Sequence, residues 1–146
     1  MRRPAPTTIA GLTVGIGIAS LAAWQGLKLL APARWLRSLI LHDPSLVGAD
    51  HLVPLAPTVE APDLRTPWPA PASGIDTDGH PLVVVCSTGI DLDLVPAAAD
   101  ARRAAFPNGN ARLVLAVRPR DVHPVTKALA AALARPAEVI AVASDS

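Results

Sequence analysis

A chain of 146 residues has room for one ordinary domain, or for a membrane segment and a small domain, but not for two full domains. Its charged residues amount to 17%, below the usual quarter, and its hydrophobic residues to 51%, a balance that fits a chain partly held in lipid. A net charge of +1, a single Phe and three Trp exclude the basic stripe and the stacking platform of a nucleic-acid-binding protein. The one cysteine, Cys86, excludes an intramolecular disulfide and a cysteine metal cluster. Sixteen prolines and heavy use of Ala, Val, Leu and Arg fit the codon bias of a high-GC, bacterial genome.

Arg2 and Arg3 precede a run from Pro4 to Leu27 that carries no charge. Its apolar part, Thr8 to Leu27, is about the 20 residues that a bilayer-spanning helix needs, so residues 1–31 are expected to form a single-pass membrane anchor. Lys28 is placed to snorkel to the headgroups and Trp35 to anchor at the interface. A cleaved signal peptide competes, because Ala31-Pro32-Ala33 has the A-x-A form, but the run is long for one. Gly11, Gly15, Ala19 and Ala23 recur every four residues, a spacing that puts small residues on one helix face and lets a second membrane helix approach. Basic residues flank both ends. The short Arg-Arg start resembles a signal anchor and places the C-terminal part outside the cytoplasm.

Residues 32–43 read as a short juxtamembrane helix: Trp35, Leu36, Leu39 and Ile40 fall on one side and Arg34 and Arg37 on the other, as in a helix lying along a membrane surface. His42-Asp43-Pro44 ends it. From 44 to 80 the chain is punctuated by Pro54, Pro57, Pro62, Pro67, Pro69 and Pro71, and the expectation is a semi-rigid, extended linker. Trp68 is the exception and is expected to pack on the domain's own surface. His42, Asp43, Asp50 and His51 match no metal-ligand spacing. Asp76-Thr77-Asp78-Gly79 looks like part of a calcium loop, but Val85 stands where the bidentate Glu would fall, so Asp78-Gly79 reads as a tight turn before a strand.

Residues 81–146 carry the regular pattern. Leu82 to Cys86 is apolar on both faces, as in a parallel strand covered by helices. Pro96 suits the first turn of a helix that stops at Pro107-Asn108-Gly109. Leu113 to Val117 is a second strand. A second helix starts at Pro124, with Val125, Ala128, Leu129, Ala132 and Leu133 as its apolar stripe, and Val139 to Val142 is a third strand. The fold class expected is therefore α/β: an N-terminal transmembrane helix, a proline-rich tether, then a small three-stranded parallel βαβαβ unit of Rossmann-like character. So small a core points to completion by a protein partner or by a second copy.

Ligands of such sheets bind beyond the C-terminal strand ends. There stand Ser87, Thr88, Gly89, Asp91 and Asp93 after the first strand and Arg118, Arg120, Asp121 and His123 after the second. Thr88-Gly89 can offer backbone N–H groups to an anion, Asp91 and Asp93 can hold a cation or sugar hydroxyls, and His123 can act as a base beside Asp121 or Asp91. Against this, the glycine fingerprint, the Walker lysine and the nucleophile elbow are all missing, and two acids in one loop oppose phosphate. The same residues equally serve as turns and helix caps: Asp93 and Asp121 before helices, His123 before Pro124, Asp91 paired with Arg118 or Arg120. Cys86 at the strand end reads as a buried small hydrophobe, without an activating partner.

Two functions emerge. The first is a membrane-anchored, non-enzymatic binding or assembly module. The second is a small-ligand module or enzyme that takes a nucleotide, sugar or metal at the rim formed by residues 87–93 and 118–123. No cofactor is assignable from the residues.

Overall fold

The computed structural model describes residues 31–56, 68–108 and 110–143. The expected membrane span, with Gly11, Gly15, Ala19 and Ala23, lies outside the described residues, as does most of the polar C-terminal tail. Among the described residues no helix is long and apolar enough to cross a membrane.

Among the described residues the architecture is mixed α/β: three α-helices and a single five-stranded sheet. The elements run α1 (Pro32–His42), a one-turn 3-10 helix (Pro44–Val47), β1 (Ala49–Pro54), β2 (Ala70–Asp76), β3 (Pro81–Ser87), α2 (Leu94–Ala105), β4 (Arg112–Val117), a second 3-10 turn (Pro119–Asp121), α3 (Pro124–Ala132) and β5 (Glu138–Ala141). Strand order across the sheet is β1-β2-β3-β4-β5. The first three strands form an antiparallel meander, and β3, β4 and β5 are parallel.

The sheet departs from expectation in two ways. It has five strands, not three, and the described part of the stretch 44–80 is not merely an extended linker, because it supplies β1 and β2. The prolines do not bar a strand here, for a geometric reason. The Pro71 carbonyl accepts from the Leu55 N–H at 2.9 Å, so the missing N–H of Pro71 points the same way, towards the frayed end of β1, where the last paired residue is Pro54. The one ladder bond lost there is the donation to the Leu55 carbonyl, which accepts from Arg37 Nη1 at 3.3 Å instead, so the proline is tolerated in an interior strand. Nor do the strand's small residues weaken it, because it is paired on both sides.

The sheet is covered on both faces. Because β3, β4 and β5 step across the sheet in one direction, right-handed crossovers put both intervening helices on one face. There Val83, Val85, Leu113, Leu115 and Val117 pack against Leu94, Val95, Ala98 and Ala101 of α2 and Ala130 of α3. The opposite face, with Leu82, Val84, Cys86, Val114 and Ala116, is covered by Ala33, Trp35, Leu36 and Ile40 of α1. The helix expected over 32–43 is thus present, but it does not lie along a membrane on its apolar side. That side is buried in the protein, and Trp35, expected at the interface, is 2% exposed. The folded unit includes α1 and does not start at Pro81.

The direction of α1 is set by its contacts. Its C-terminal end leads through the 3-10 turn to Ala49, the start of β1. Halfway along, Arg37 donates to the carbonyls of Leu55 and Pro71, at the other end of the β1–β2 pair. Helical side chains lean towards their own N-terminus, so α1 runs antiparallel to β1. Its first residues therefore lie over the edge of the sheet where β1, β3, β4 and β5 end and β2 begins.

The helix α3 departs from its expected orientation. Thr126 and Ala130 face the core, while Val125 and Leu129 of the predicted buried stripe point outward at 43% and 38% exposure. The apolar period is present, but rotated from the sheet.

Candidate site at the C-terminal edge of the parallel strands

The β3–α2 and β4–α3 loops are neighbours, as adjacent parallel strands require. Ser87 and Thr88 are buried at the end of β3. Gly89 turns the chain at φ +81, a left-handed conformation that glycine adopts without a Cβ penalty. Its N–H then donates across the gap to Asp121 Oδ2 at 2.9 Å.

Asp121 is the centre of the edge. Besides Gly89, it accepts from Arg118 Nε at 2.6 Å. Burial opposes its ionisation, but the Arg118 and Gly89 hydrogen bonds outweigh that and hold the carboxyl below its ordinary value. The carboxylate thus clasps one loop to the other. Asp91 does not pair with Arg118 or Arg120: its Oδ1 accepts the Asp93 N–H at 2.9 Å, and its carbonyl accepts the Leu94 N–H at 3.2 Å, shaping the entry to α2. Asp93 occupies the N-cap position of α2 with no side-chain cap bond. His123 Nδ1 accepts the Val125 N–H at 3.1 Å and caps α3, which places the ring proton on Nε2. Arg120 is exposed. The structure therefore brings Gly89, Arg118 and Asp121 together. Asp91, Asp93 and His123 stay on their own loops, each engaged locally or open to solvent.

A cleft of about 290 Å³ opens beside these loops, lined by Trp68, Pro69, Ser87, Thr88, Gly89, Ile90 and Asp91. Trp68, half-buried just before β2, joins the site from the stretch read as linker. The sequence signal was the tryptophan itself, an expensive side chain to leave in a tether. Cys86 ends fully buried beneath the loops, and burial pushes its thiol up to about 12, a value that leaves no thiolate near neutrality.

A second cluster lies at the other end of the sheet. Donor atoms of Asp76, Asp78 and His80 fall within 4.8 Å of one another in the β2–β3 turn. The Asp76 carboxylate accepts from the backbone N–H groups of Asp78 and His80 at 2.9 and 2.8 Å and from Arg112 Nη1 at 2.9 Å. The guanidinium supplies the positive charge there. Arg112 also bridges to Glu138 on β5, so this cluster ties hairpin to sheet.

An α/β fold with a clasped loop pair at the strand ends is the class that these observations define. No family model matches the chain, and no curated protein or solved structure matches it significantly.

Proposed function

We propose that the chain is a membrane-anchored, single-pass binding or assembly module, with its folded unit held on the extracytoplasmic side and joined to a protein partner or a second copy. The uncharged run Pro4–Leu27 supports the anchor. The observation that carries the assembly is α3: Val125 and Leu129 face outward on a helix packed beside β5, a four-residue edge strand whose Val139 and Ile140 are only half-buried. An apolar stripe next to an open strand edge is a surface that association would cover. Gly11, Gly15, Ala19 and Ala23 supply a matching small-residue face in the anchor.

The test is the association state of the full chain in lipid nanodiscs and in mild detergent, read by chemical cross-linking and sedimentation. Dimers or higher forms are expected, weakened by Val125→Arg with Leu129→Arg and by Gly11→Ile with Gly15→Ile. A chain that stays monomeric with or without these changes, both alone and when isolated from its native membrane, overturns the reading.

A second reading rests on the cleft beside Trp68, in which Ser87, Thr88 and Asp91 would meet the hydroxyls of a sugar or the base of a nucleotide. Its volume of about 290 Å³ sits at the bottom of the range for ligand pockets, roughly 300 Å³ and upward, and this favours the first reading. Thermal unfolding across a panel of sugars, nucleotides and divalent cations decides it. A saturable rise with one of them, lost in Asp91→Ala, would promote the second reading.

A further inference from the structure

The exposed aliphatic side chains of this protein are not scattered evenly. Ile90 and Leu92, at 58% and 57% exposure, project from the β3–α2 loop, and Val122, at 37%, projects from the neighbouring β4–α3 loop. All three stand at the C-terminal edge of the parallel strands, where Trp68 also enters β2. Of the polar groups between them, Asp121 holds Gly89 and Arg118 and Asp91 holds its own loop, while Asp93 and Arg120 are exposed beside the aliphatic tips.

The beginning of α1 lies over this same edge, so the described chain starts there, at Ala31. Between Leu27, the end of the uncharged run, and Pro32 the chain reaches at most about 18 Å when fully extended. A strand of β3's length is itself roughly 23 Å long, so the opposite edge, with Ile75 and the Asp78-Gly79 turn, lies a full strand length further off. On the proposed reading that the run is a membrane anchor, this edge is the one brought against the bilayer.

We infer that the C-terminal edge of the sheet is a lipid-contacting surface: Ile90, Leu92 and Val122 enter the headgroup–acyl boundary beside the anchor, and Trp68 lies at the same level. Aliphatic tips on otherwise ordered loops, with an indole near the water boundary, suit that interface. Charge does not direct the contact. Arg34, Arg118 and Arg120 on this side are matched by Asp91, Asp93 and Asp121, so neutral lipid suffices and anionic lipid adds little. The same geometry fixes the posture of the domain. Its strands stand on the membrane by their C-terminal ends, and the outward stripe of α3 is left facing sideways, towards other proteins in the plane.

The experiment uses the full chain reconstituted into neutral phosphatidylcholine vesicles. An environment-sensitive fluorophore is placed on Ile90→Cys, Leu92→Cys or Val122→Cys, and on Ile75→Cys as the reference, an exposed position at the opposite edge. Native Cys86 is buried, so labelling under folding conditions is expected at the introduced cysteine. Flotation is scored first, then quenching by brominated acyl chains. Bound vesicles with quenching at 90, 92 and 122 at least about two-fold above that at 75 support the inference, and Ile90→Asp with Leu92→Asp should then reduce quenching at 122 without loss of flotation. Flotation with equal, weak quenching at all four positions overturns the lipid contact and leaves the anchor standing. Labels at 90 and 92 that are shielded from aqueous iodide yet not quenched by bromolipid overturn it as well, in favour of a covering protein. A chain that does not float at all overturns the anchor and the edge contact together.

Discussion

The Asp76 carboxylate lies almost fully buried and accepts hydrogen bonds from two turn N–H groups and from Arg112. The His80 N–H and the Arg112 guanidinium hold its pKa down to about 2 against an ordinary 3.8. The sign of the pH effect is set by this difference: the unfolded chain takes up the proton first as pH falls, so the stabilisation is complete above the ordinary carboxylate value and is lost as pH falls towards about 2. Asp76→Asn is expected to lower stability at neutral pH and to flatten its loss in acid, as read by urea unfolding of the full chain in mild detergent from pH 7 to 2. Parallel acid slopes for the two chains would refute the role. Two residues earlier, Gly74 meets the bulge of β1: a Cβ there would stand 1.7 Å from the His51 carbonyl oxygen, and the obstacle is backbone, not a movable side chain. Gly74→Ala is therefore expected to cost at least about 3 kcal/mol, the upper end of overpacking, in the same urea experiment. A loss below about 1 kcal/mol, which would mean that the strands separate easily, would count against this register.

Among the helices and strands, legibility divided along the chain. Those from Pro81 onward could be read because their residues announce both period and covering: Leu82 to Cys86 is apolar on both faces, and Pro96 and Pro124 mark helix starts. Strands β1 and β2 could not. Ala70-Pro71-Ala72-Ser73-Gly74 has neither β-branched residues nor alternation, and it is a strand because β1 and β3 pair with it. The edge loops could be located but not assigned, since the Gly89–Asp121 clasp joins residues 32 positions apart and no spacing rule reaches that far. Helix α3 shows a further limit. Its period is clear, but period does not say which of two adjacent stripes faces in, and Ala130 and Thr126 suit the close approach to β4 and β5 better than Leu129 and Val125. Two substitutions separate these orientations at dilutions that keep the chain monomeric: Val125→Lys should change stability by less than about 0.5 kcal/mol, as surface changes do, whereas Ala130→Leu should cost about 1–3 kcal/mol by overpacking. Urea midpoints that reverse this order would restore the stripe read from the sequence.

The folded unit as a whole is larger than its most regular part. Residues 81–143 hold three strands and two helices, but those helices cover only one face. The other face of β3 and β4, with Leu82, Val84, Cys86, Val114 and Ala116, is closed by α1. Removing the first 73 residues would bare that face and leave β3 with half a neighbour. Burying a single Leu or Val side chain contributes about 1.5–3 kcal/mol, and a domain's total stability is only about 5–15 kcal/mol, so several such side chains exposed together exceed what the remainder can hold. A chain of residues 31–146 is thus expected to unfold cooperatively on heating, followed by circular dichroism, and to bind little hydrophobic dye. A chain of residues 74–146 should retain helical signal without a cooperative transition, bind the dye strongly and aggregate. A sharp transition in the shorter chain would show that α1, β1 and β2 are additions to a self-sufficient βαβαβ core. Its absence would make the N-terminal helix, so close in sequence to the proposed membrane anchor, a structural part of the domain that the anchor carries.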